Sequence, residues 1–386
     1  METIAIGDAC EVLNGYAFKS EKYTSSGIRI IRIANVQKGY IEDNSPVFYP
    51  IDSSGLEKYM LREGDLLVSL TGNVGRTALL TEDMIPAALN QRVACLRLKT
   101  DKITNRFLFH LLNSDYFETK CIQSSQGVAQ KNMSTEWLKS YKLPLYSLSK
   151  QNEITKILDN VRNTNILKNQ ELKRYDDLIK ARFVEMFGDI NNNIYDYDIR
   201  CLNDVCEFIK DGTHQTPIYT QDKENGYKFM SSKDVVLGSI DWNHLKYIPE
   251  DLHKELYKHI SPRRGDILLA KNGTTGIAAM VDRDEVFDIY VSLAILRPLN
   301  INSTYLLFAI NSNTTKRQFD ACLKGIGVPN LHLGEIKKAK IIVPPLDKQI
   351  DFEKYAKQVD KSKLAVQQSL EKMQQLFDSL MQEYFG

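Results

Sequence analysis

The chain carries one unit twice. Residues 181–188 read ARFVEMFG, and residues 379–386 read SLMQEYFG, 198 positions later. The same offset of 198 relates Asn132 to Asn330 and Gln151 to Gln349, and Gly27 and Gly39 recur at Gly226 and Gly238 with an offset of 199. The strongest echo sets Gly64-Asp65-Leu66-Leu67 against Gly265-Asp266-Ile267-Leu268, 201 positions apart. Solenoid repeats recur every 20–50 residues or so, far below this period, so the pattern marks a duplicated domain. Two similar domains on one chain imply an internal two-fold, and a two-fold implies a target in two parts.

A length of 386 residues suits two or three domains, each able to bury its own core. The apolar fraction of 43% and charged fraction of 26% are those of an ordinary globular chain. No run approaches the roughly 18 apolar residues of a membrane span. The start, METIAIGDACEVL, lacks the basic stretch and apolar run of a signal peptide. The expected location is the cytoplasm. Cys10, Cys95, Cys121, Cys201, Cys206 and Cys322 form no CxxC pair, so buried free thiols are expected. His244, His253 and His259 lie in one polar segment without a Cys or acidic partner at ligand spacing, which predicts surface histidines and no metal site.

The net charge is +1; residues 1–150 carry 18 basic and 16 acidic side chains, and residues 190–346 carry 19 of each. A typical nucleic-acid-binding domain is basic, so any attraction to phosphate must come from local patches or from partner subunits.

Each copy reads as a globular part followed by a helical part. In the first, residues 28–33, 66–70 and 93–98 have strand composition, and residues 105–113 predict a short helix. Ser134 opens a second helix with a capping pattern, and residues 141–145 form a last strand that stops at Pro144. The second copy repeats the order: strands at 227–230, 267–270 and 290–297, a helix at 304–311, and a strand at 341–343 before Pro344-Pro345. The class is mixed α and β.

The helical parts, 151–187 and 347–385, contain neither Pro nor Gly. In the second, Val359, Val366, Leu370, Met373, Phe377, Leu380 and Tyr384 follow a seven-residue seam with Lys363 as its polar exception. The first carries Ile154, Leu158, Val161, Leu172, Tyr175, Ile179 and Met186 on the equivalent seam around a polar middle, 162–170. Each stripe needs cover, either from its own globular domain or from the other stripe. Helix one must deliver the chain to the second domain, and by the repeat helix two runs back, which predicts an antiparallel pair. At about 1.5 Å per residue such helices reach roughly 54 Å, at most roughly 16 base pairs of B-DNA. Because the second copy ends with helix two, truncating that helix is expected to abolish assembly rather than trim a tail.

Both copies place a paired-glycine turn after the Gly-Asp strand: Thr71-Gly72-Asn73-Val74-Gly75-Arg76 and Asn272-Gly273-Thr274-Thr275-Gly276. Paired glycines let a backbone turn sharply or approach a partner closely, and small polar side chains beside them can bond phosphates or base edges. Neither loop has the Gly-Lys-Ser/Thr of a Walker A loop, and a solvated β-turn is the plain alternative. Asn90-Gln91-Arg92 precede a strand, and Gln130-Lys131-Asn132 lie in a loop without apolar periodicity. Asn and Gln pair bidentately with adenine, and Arg and Lys with guanine. The candidate DNA-contacting residues are Lys19, Thr71, Asn73, Arg76, Asn90, Gln91, Arg92, Gln130, Lys131 and Asn132 in the first copy. In the second they are His214, Lys271, Asn272, Thr274, Thr275, Ser292, Lys324 and Asn330. Scaffold residues recur while loop residues change, as two heads reading different half-sites would require and as drift of surface loops would also produce.

No catalytic constellation stands out. GxGxxG after a strand, GxSxG and HExxH are absent, and Val343-Pro344-Pro345-Leu346 is not the Asn/Asp-Pro-Pro-Tyr/Phe motif of amino-methyltransferases. Asp176-Asp177 sit in a charged helical stretch and are expected to be solvated.

Several segments carry a resemblance: residues 172–189 (LKRYDDLIKARFVEMFGD), the two Gly-Asp-Leu/Ile-Leu strands, and the paired ends Leu143-Pro144-Leu145…Lys150-Gln151…Ile154 and Val343-Pro344-Pro345-Leu346…Lys348-Gln349-Ile350. On these, essentially the whole chain resembles the specificity subunits of Type I restriction-modification systems. Tyr146-Ser147 stand where the family usually has a second proline. The resemblance implies an α+β fold: two similar mixed α/β target-recognition domains, separated by two long helices packed as an antiparallel coiled coil, with pseudo-two-fold symmetry. The domains run 1–150 and 189–346, and the spacer helices 151–188 and 347–386. It further implies a subunit with no catalysis and no cofactor of its own, reading an interrupted double-stranded DNA target one half per domain. Two methyltransferase subunits, which bind S-adenosylmethionine, dock on the helices, and ATP-using motor-nuclease subunits can join. The competing expectation is a two-headed coiled-coil scaffold that does not itself read DNA.

Overall fold

The computed structural model describes residues 2–125, 131–323 and 330–386. The fold is α+β, and the chain divides into two compact units, one of residues up to Asn169 with Gln367–Gly386, the other Gln170–Val366.

In the first unit a four-stranded antiparallel sheet runs in the order Cys10–Asn14, Val93–Leu98, Leu66–Ser69, Thr77–Leu79. A three-stranded sheet, Phe48–Tyr49, Ile28–Ile31, Ala87–Leu89, lies over one of its faces: Leu67, Ala78 and Cys95 share a core with Ile31 and Leu89. On the other face Leu66, Val68, Ala94 and Leu96 pack against Phe107, Leu108 and Leu111 of the helix Asn105–Leu112. The central strand is therefore covered on both faces, which is why its sequence is a continuous apolar run rather than an alternation. The second unit repeats this with Cys206–Asp211, Leu293–Pro298, Ile267–Ala270, Ala278–Met280 as one sheet and Lys246–Ile248, Tyr227–Met230, Phe287–Ile289 as the other. Ile267 and Leu269 face the helix Ser303–Ile310, while Leu268 and Ala270 face Phe287 and Ile289.

Local chemistry sets the ends of elements. Thr104, Ser134 and Asn302 accept the backbone N–H of Phe107, Trp137 and Tyr305 and cap the helices that follow. The strand expected over 28–33 stops at Ile31, because the buried Asn35 pulls Ile33–Asn35 into a turn: its Oδ1 accepts Arg32 N at 2.9 Å and its Nδ2 donates to Glu42 O at 2.8 Å. The strand expected from Tyr290 begins at Leu293, since Leu293 N turns back to Tyr290 O at 2.9 Å.

The Gly-Asp echo has a structural cause. Asp65 accepts Arg97 Nε at 2.9 Å and Nη2 at 2.6 Å, and Asp266 accepts Arg297 Nε at 2.9 Å and Nη2 at 2.8 Å. Each carboxylate also takes a backbone N–H, from Arg62 and Arg263. This bidentate pairing bolts two adjacent strands together at the same place in both units. The Gln echo has one too. Gln151 accepts Thr104 N and donates to Lys102 O and Tyr146 O, and Gln349 accepts Asn302 N and donates to Pro344 O. Each glutamine ties the start of a long helix to the domain before it.

The long helices span Leu148–Phe187 and Leu346–Phe385. Within the first unit they run antiparallel, with Tyr146 Oη donating to Tyr384 O at 3.2 Å and Asn165 Nδ2 to Gln374 Oε1 at 3.5 Å. Within the second they do the same, with Phe183 edge-on to Phe352 at 5.2 Å and Lys363 Nζ 2.5 Å from Asp176. The helices meet each other and their globular domains at once: Phe183 also stacks on Tyr305, and Phe385 meets Phe107 edge-on at 5.5 Å. Lys363, the polar member of the seam, thus has a partner in Asp176, and Asp176 and Asp177 are both exposed, as expected. The described start of the chain lies in the first unit as well, with Thr3–Ala5 paired to Lys142–Pro144 and Glu2 O accepting Leu145 N at 2.9 Å.

The expectation of surface histidines fails at His253. It is buried, stacks on Tyr227 at 3.7 Å and donates to Asp288 at 2.7 Å; that acid lies 35 residues downstream, beyond any local pattern. Burial raises the Asp288 pKa. The cysteines are free, with Cys10, Cys95, Cys121 and Cys206 buried and Cys201 and Cys322 partly so. Among the described residues no cluster of His, Cys, Asp or Glu could hold a metal ion, and no helix is long and apolar enough to cross a membrane.

One cluster carries a pH prediction. Asp159 on the first long helix accepts Arg106 Nε at 2.8 Å and His110 Nε2 at 2.8 Å. Burial lowers the His110 pKa below 6.5. Burial alone would raise Asp159, but the bonds from His110 and Arg106 outweigh it and hold the acid at about 2. Both groups are depressed in the folded state, so both contribute stability that is lost as pH falls. For His110 the loss starts below 6.5, and for Asp159 it runs from its ordinary 3.8 down to about 2. Denaturant titrations between pH 7 and pH 5 should show the first unit weakening, and His110→Gln should flatten that slope. An unchanged slope in the variant would refute the assignment.

Candidate nucleic-acid interface

The paired-glycine turns follow the central strand in both units and are built alike. Gly72 and Gly75 have φ of 67° and 84°, and Gly273 and Gly276 of 79° and 81°, the left-handed region in which a side chain is strained. In the first unit Gly75 N donates to Ser69 O and Ser69 Oγ to Asn73 O; in the second Gly276 N donates to Ala270 O. Each turn is pinned from beyond: Thr71 bridges Asn132 and Gly72 N donates to Lys131 O, while Asn272 bridges Asn330 and Leu331 N donates to Lys271 O.

Beside each turn opens a cleft. In the first unit it measures about 220 Å³ and is lined by Ala34, Gln37, Thr71, Asn73, Arg76 and Arg92, among others. Arg76 donates to Gln37 Oε1, and Arg92 is exposed. In the second unit it measures about 520 Å³ and is lined by Asp211, His214, Lys271, Asn272, Asn330 and His332, among others. Lys271 is buried and ion-paired to Asp211 at 2.5 Å, with His214 Nε2 3.7 Å from the same carboxylate. Two orphaned polar atoms sit at matching positions of the repeat, 201 apart: Thr71 Oγ1 and Asn272 Oδ1 are buried with no hydrogen-bond partner among the described residues, and both residues line their clefts. Buried polar groups are normally satisfied, so each marks a place where an incoming group could bond.

The structure brings Thr71, Asn73, Arg76 and Arg92 together, and likewise His214, Lys271, Asn272 and Asn330. Asn90 and Gln91 stand next to the first cleft, held by Asn90 N to Ile31 O and Gln91 N to Tyr16 O. Lys131 and Asn132 are exposed on the pinning segment. Thr274 is exposed at the turn tip, and Thr275 Oγ1 donates to Gly273 O at 3.3 Å. Ser292 is buried, and its hydroxyl accepts Ser232 N at 3.0 Å, a bond within the fold. Lys19 is exposed at the start of the turn Ser20–Lys22 and lines neither cleft. Gln130 and Lys324 lie outside the described residues.

Sequence reading missed Gln37 and Asp211, which reach the clefts from other strands and loops. It also missed Gly15 and Gly212. A Cβ on Gly15 would lie 2.2 Å from Asn90 O, and one on Gly212 would lie 2.3 Å from Ile289 O. Both let the first strand of the sheet pass against the segment that leads into the cleft. Their offset of 197 differs from those of the other echoes, which hid the match.

Comparison with known proteins agrees with this architecture. The profile of the family described as Type I restriction modification DNA specificity domain matches residues 1–174 and 195–373. The Type I restriction enzyme EcoBI specificity subunit of Escherichia coli is 26% identical over 99% of this chain and 85% of its own length. The MjaVIII specificity subunit of Methanocaldococcus jannaschii is 29% identical over 44% of this chain and 41% of its own. Among solved structures, a chain from a study of complex assembly in the type I R-M system aligns over 100% of this chain and 97% of that one, with a TM-score of 0.59 at 18% identity. The S subunit of a Type I restriction-modification system from M. genitalium covers 100% of this chain and 96% of its own, with a TM-score of 0.55 at 14% identity. With the duplicated fold, the antiparallel helices and a family match over most of its length, this chain belongs to the Type I restriction-modification DNA specificity family.

Proposed function

We propose that the chain is the non-catalytic DNA-recognition subunit of a Type I restriction-modification complex acting in the cytoplasm. Residues 1–150 and 189–346 read the two halves of an interrupted double-stranded target, one half-site each. Residues 151–188 and 347–386 form the spacer that fixes the gap and docks two methyltransferase subunits, with motor-nuclease subunits as further partners. The observation that carries this reading is the pair of clefts: the same turn, pinned the same way on the same strand, but lined by different side chains in the two units. A repeated frame with exchanged lining is what reading two unlike half-sites asks of one fold. The near-neutral charge fits a subunit whose partners contribute to the phosphate contacts that dominate affinity.

The test is a domain exchange in the assembled complex. Residues 1–150 are replaced by the corresponding domain of a relative with a different target, and methylated sites are mapped in cells. One half of the target should change, with the other half and the gap constant. If both halves change, or if the complex methylates without sequence preference, the reading is wrong.

A further inference from the structure

The second cleft holds chemistry that the first lacks. The Lys271–Asp211 pair lines it, with the lysine side chain 6% and the aspartate 20% exposed. Sheet register sets Asp211 opposite Ala294 and Asn14 opposite Ala94, so Asn14 is the first unit's equivalent of Asp211. The equivalent of Lys271, 201 positions earlier, is Leu70. Conversely, Arg76 and Arg92 of the first cleft give way to Ile277 and Ser292. One cleft offers guanidinium donors, and the other offers a carboxylate held by an ammonium.

This pair differs from the structural Asp–Arg bridges. Both oxygens of Asp266 are used, by Arg297 and by Arg263 N. Asp211 Oδ1 takes Lys271 Nζ at 2.5 Å, whereas among the described residues Oδ2 has only His214 Nε2 at 3.7 Å, beyond hydrogen-bond reach. An ammonium has three donors, and among the described residues Lys271 Nζ makes the one bond to Asp211. A spare acceptor and spare donors therefore border one open cleft, next to the orphaned Asn272 Oδ1. In the major groove a free carboxylate oxygen suits the exocyclic amino group of a base, N6 of adenine or N4 of cytosine. The keto oxygens of guanine and thymine at the same place are acceptors and would face its lone pairs.

The geometry points to Asp211 as a specificity-determining residue of the second unit. Its carboxylate, oriented by Lys271, accepts a hydrogen bond from an amino base, adenine or cytosine, and excludes keto bases at one position of one half-site. This rests on the chain being a DNA-recognition subunit. Asp211→Asn keeps the shape but adds a donor that guanine or thymine can use.

The experiment maps methylated sites for the assembled methyltransferase complex carrying wild-type chain, Asp211→Asn, or Asp211→Asn with Lys271→Met. The double variant leaves no unpaired buried ammonium and so keeps the test open if the single variant folds poorly. Methylation at sites with guanine or thymine at one position of one half should rise on the order of tenfold or more, with the other half unchanged. The selectivity between adenine and cytosine at that position identifies which amino group is read. An unchanged motif in both variants, or a uniform loss of methylation with the motif intact, overturns the assignment while leaving the recognition function standing. A wild-type complex without a two-part motif would overturn the underlying reading instead.

Discussion

Asp266→Ala is expected to destabilise the second unit by about 3–5 kcal/mol, the usual cost of removing one partner of a buried ion pair. The carboxylate is 1% exposed and accepts both arms of the Arg297 guanidinium and Arg263 N–H. Without it a permanently charged, largely buried group is left with Ser261 O on Nη2 and the face of the Phe208 ring at 4.6 Å, and no hydrogen-bonded counter-ion among the described residues. The loss comes less from the missing attraction than from a stranded charge. Removing both partners should therefore cost much less: Asp266→Leu with Arg297→Met is expected to recover most of the stability. Urea unfolding of the two variants and the wild type measures both quantities. A single-variant loss below about 1 kcal/mol, within the range of surface pairs, would contradict the argument. The same change at Asp65 should be milder, because Arg97 is 20% exposed against 11% for Arg297.

Removal of residues 367–386 is expected to unfold the first unit and spare the second. Met381 and Phe385 belong to the core formed by Ile154, Leu158 and Phe107, and Phe377, Leu380 and Tyr384 pack against its edge. A buried Phe cut to Ala costs about 3–5 kcal/mol, and several such losses together exceed the roughly 5–15 kcal/mol by which domains are stable. The second unit lies within Gln170–Val366 and loses none of its own residues. Hydrogen exchange on the truncated chain should show protection over the sheet of the second unit and none over Leu66–Ser69. The single variant Phe385→Ala offers a graded version, with a loss of about 3–5 kcal/mol confined to the first unit. Protection of Leu66–Ser69 in the truncated chain would show that the final turns are not part of that core.

What the sequence made legible is local. Central strands buried on both faces write themselves as apolar runs, as at Leu66–Ser69 and Ile267–Ala270, and side-chain caps such as Ser134 announce helix starts. What it hid depends on residues far apart in the chain. Arg97 and Arg297 lie 32 and 31 positions after the acids they hold, and Asp288 lies 35 after His253. Phe183, Phe187 and Phe385 carry much of the helix packing, yet they fall outside the seven-residue seam because they face the globular domains as well as the other helix. The clefts collect residues from three or more separate segments, so a single turn showed only part of each lining, and nothing local to Asp211 singled it out. The candidate contact residues could be recognised as polar, but the burial of Lys271 and Ser292 and the convergence of the others could not.

The first unit is made of two stretches of chain with the whole of Gln170–Val366 between them. That division fixes an order of events during synthesis. The second unit is contiguous and can complete its core as soon as its own residues have left the ribosome. The first emerges earlier yet must wait for its last helical turns, a delay of about 10–40 s at about 5–20 residues per second. Throughout that interval Ile154, Leu158 and the face of Phe107 lack the cover that Met381 and Phe385 will supply. The domain made first is thus the domain finished last, and the growing chain exposes its apolar face to chaperones or to aggregation for as long as translation takes to reach the end.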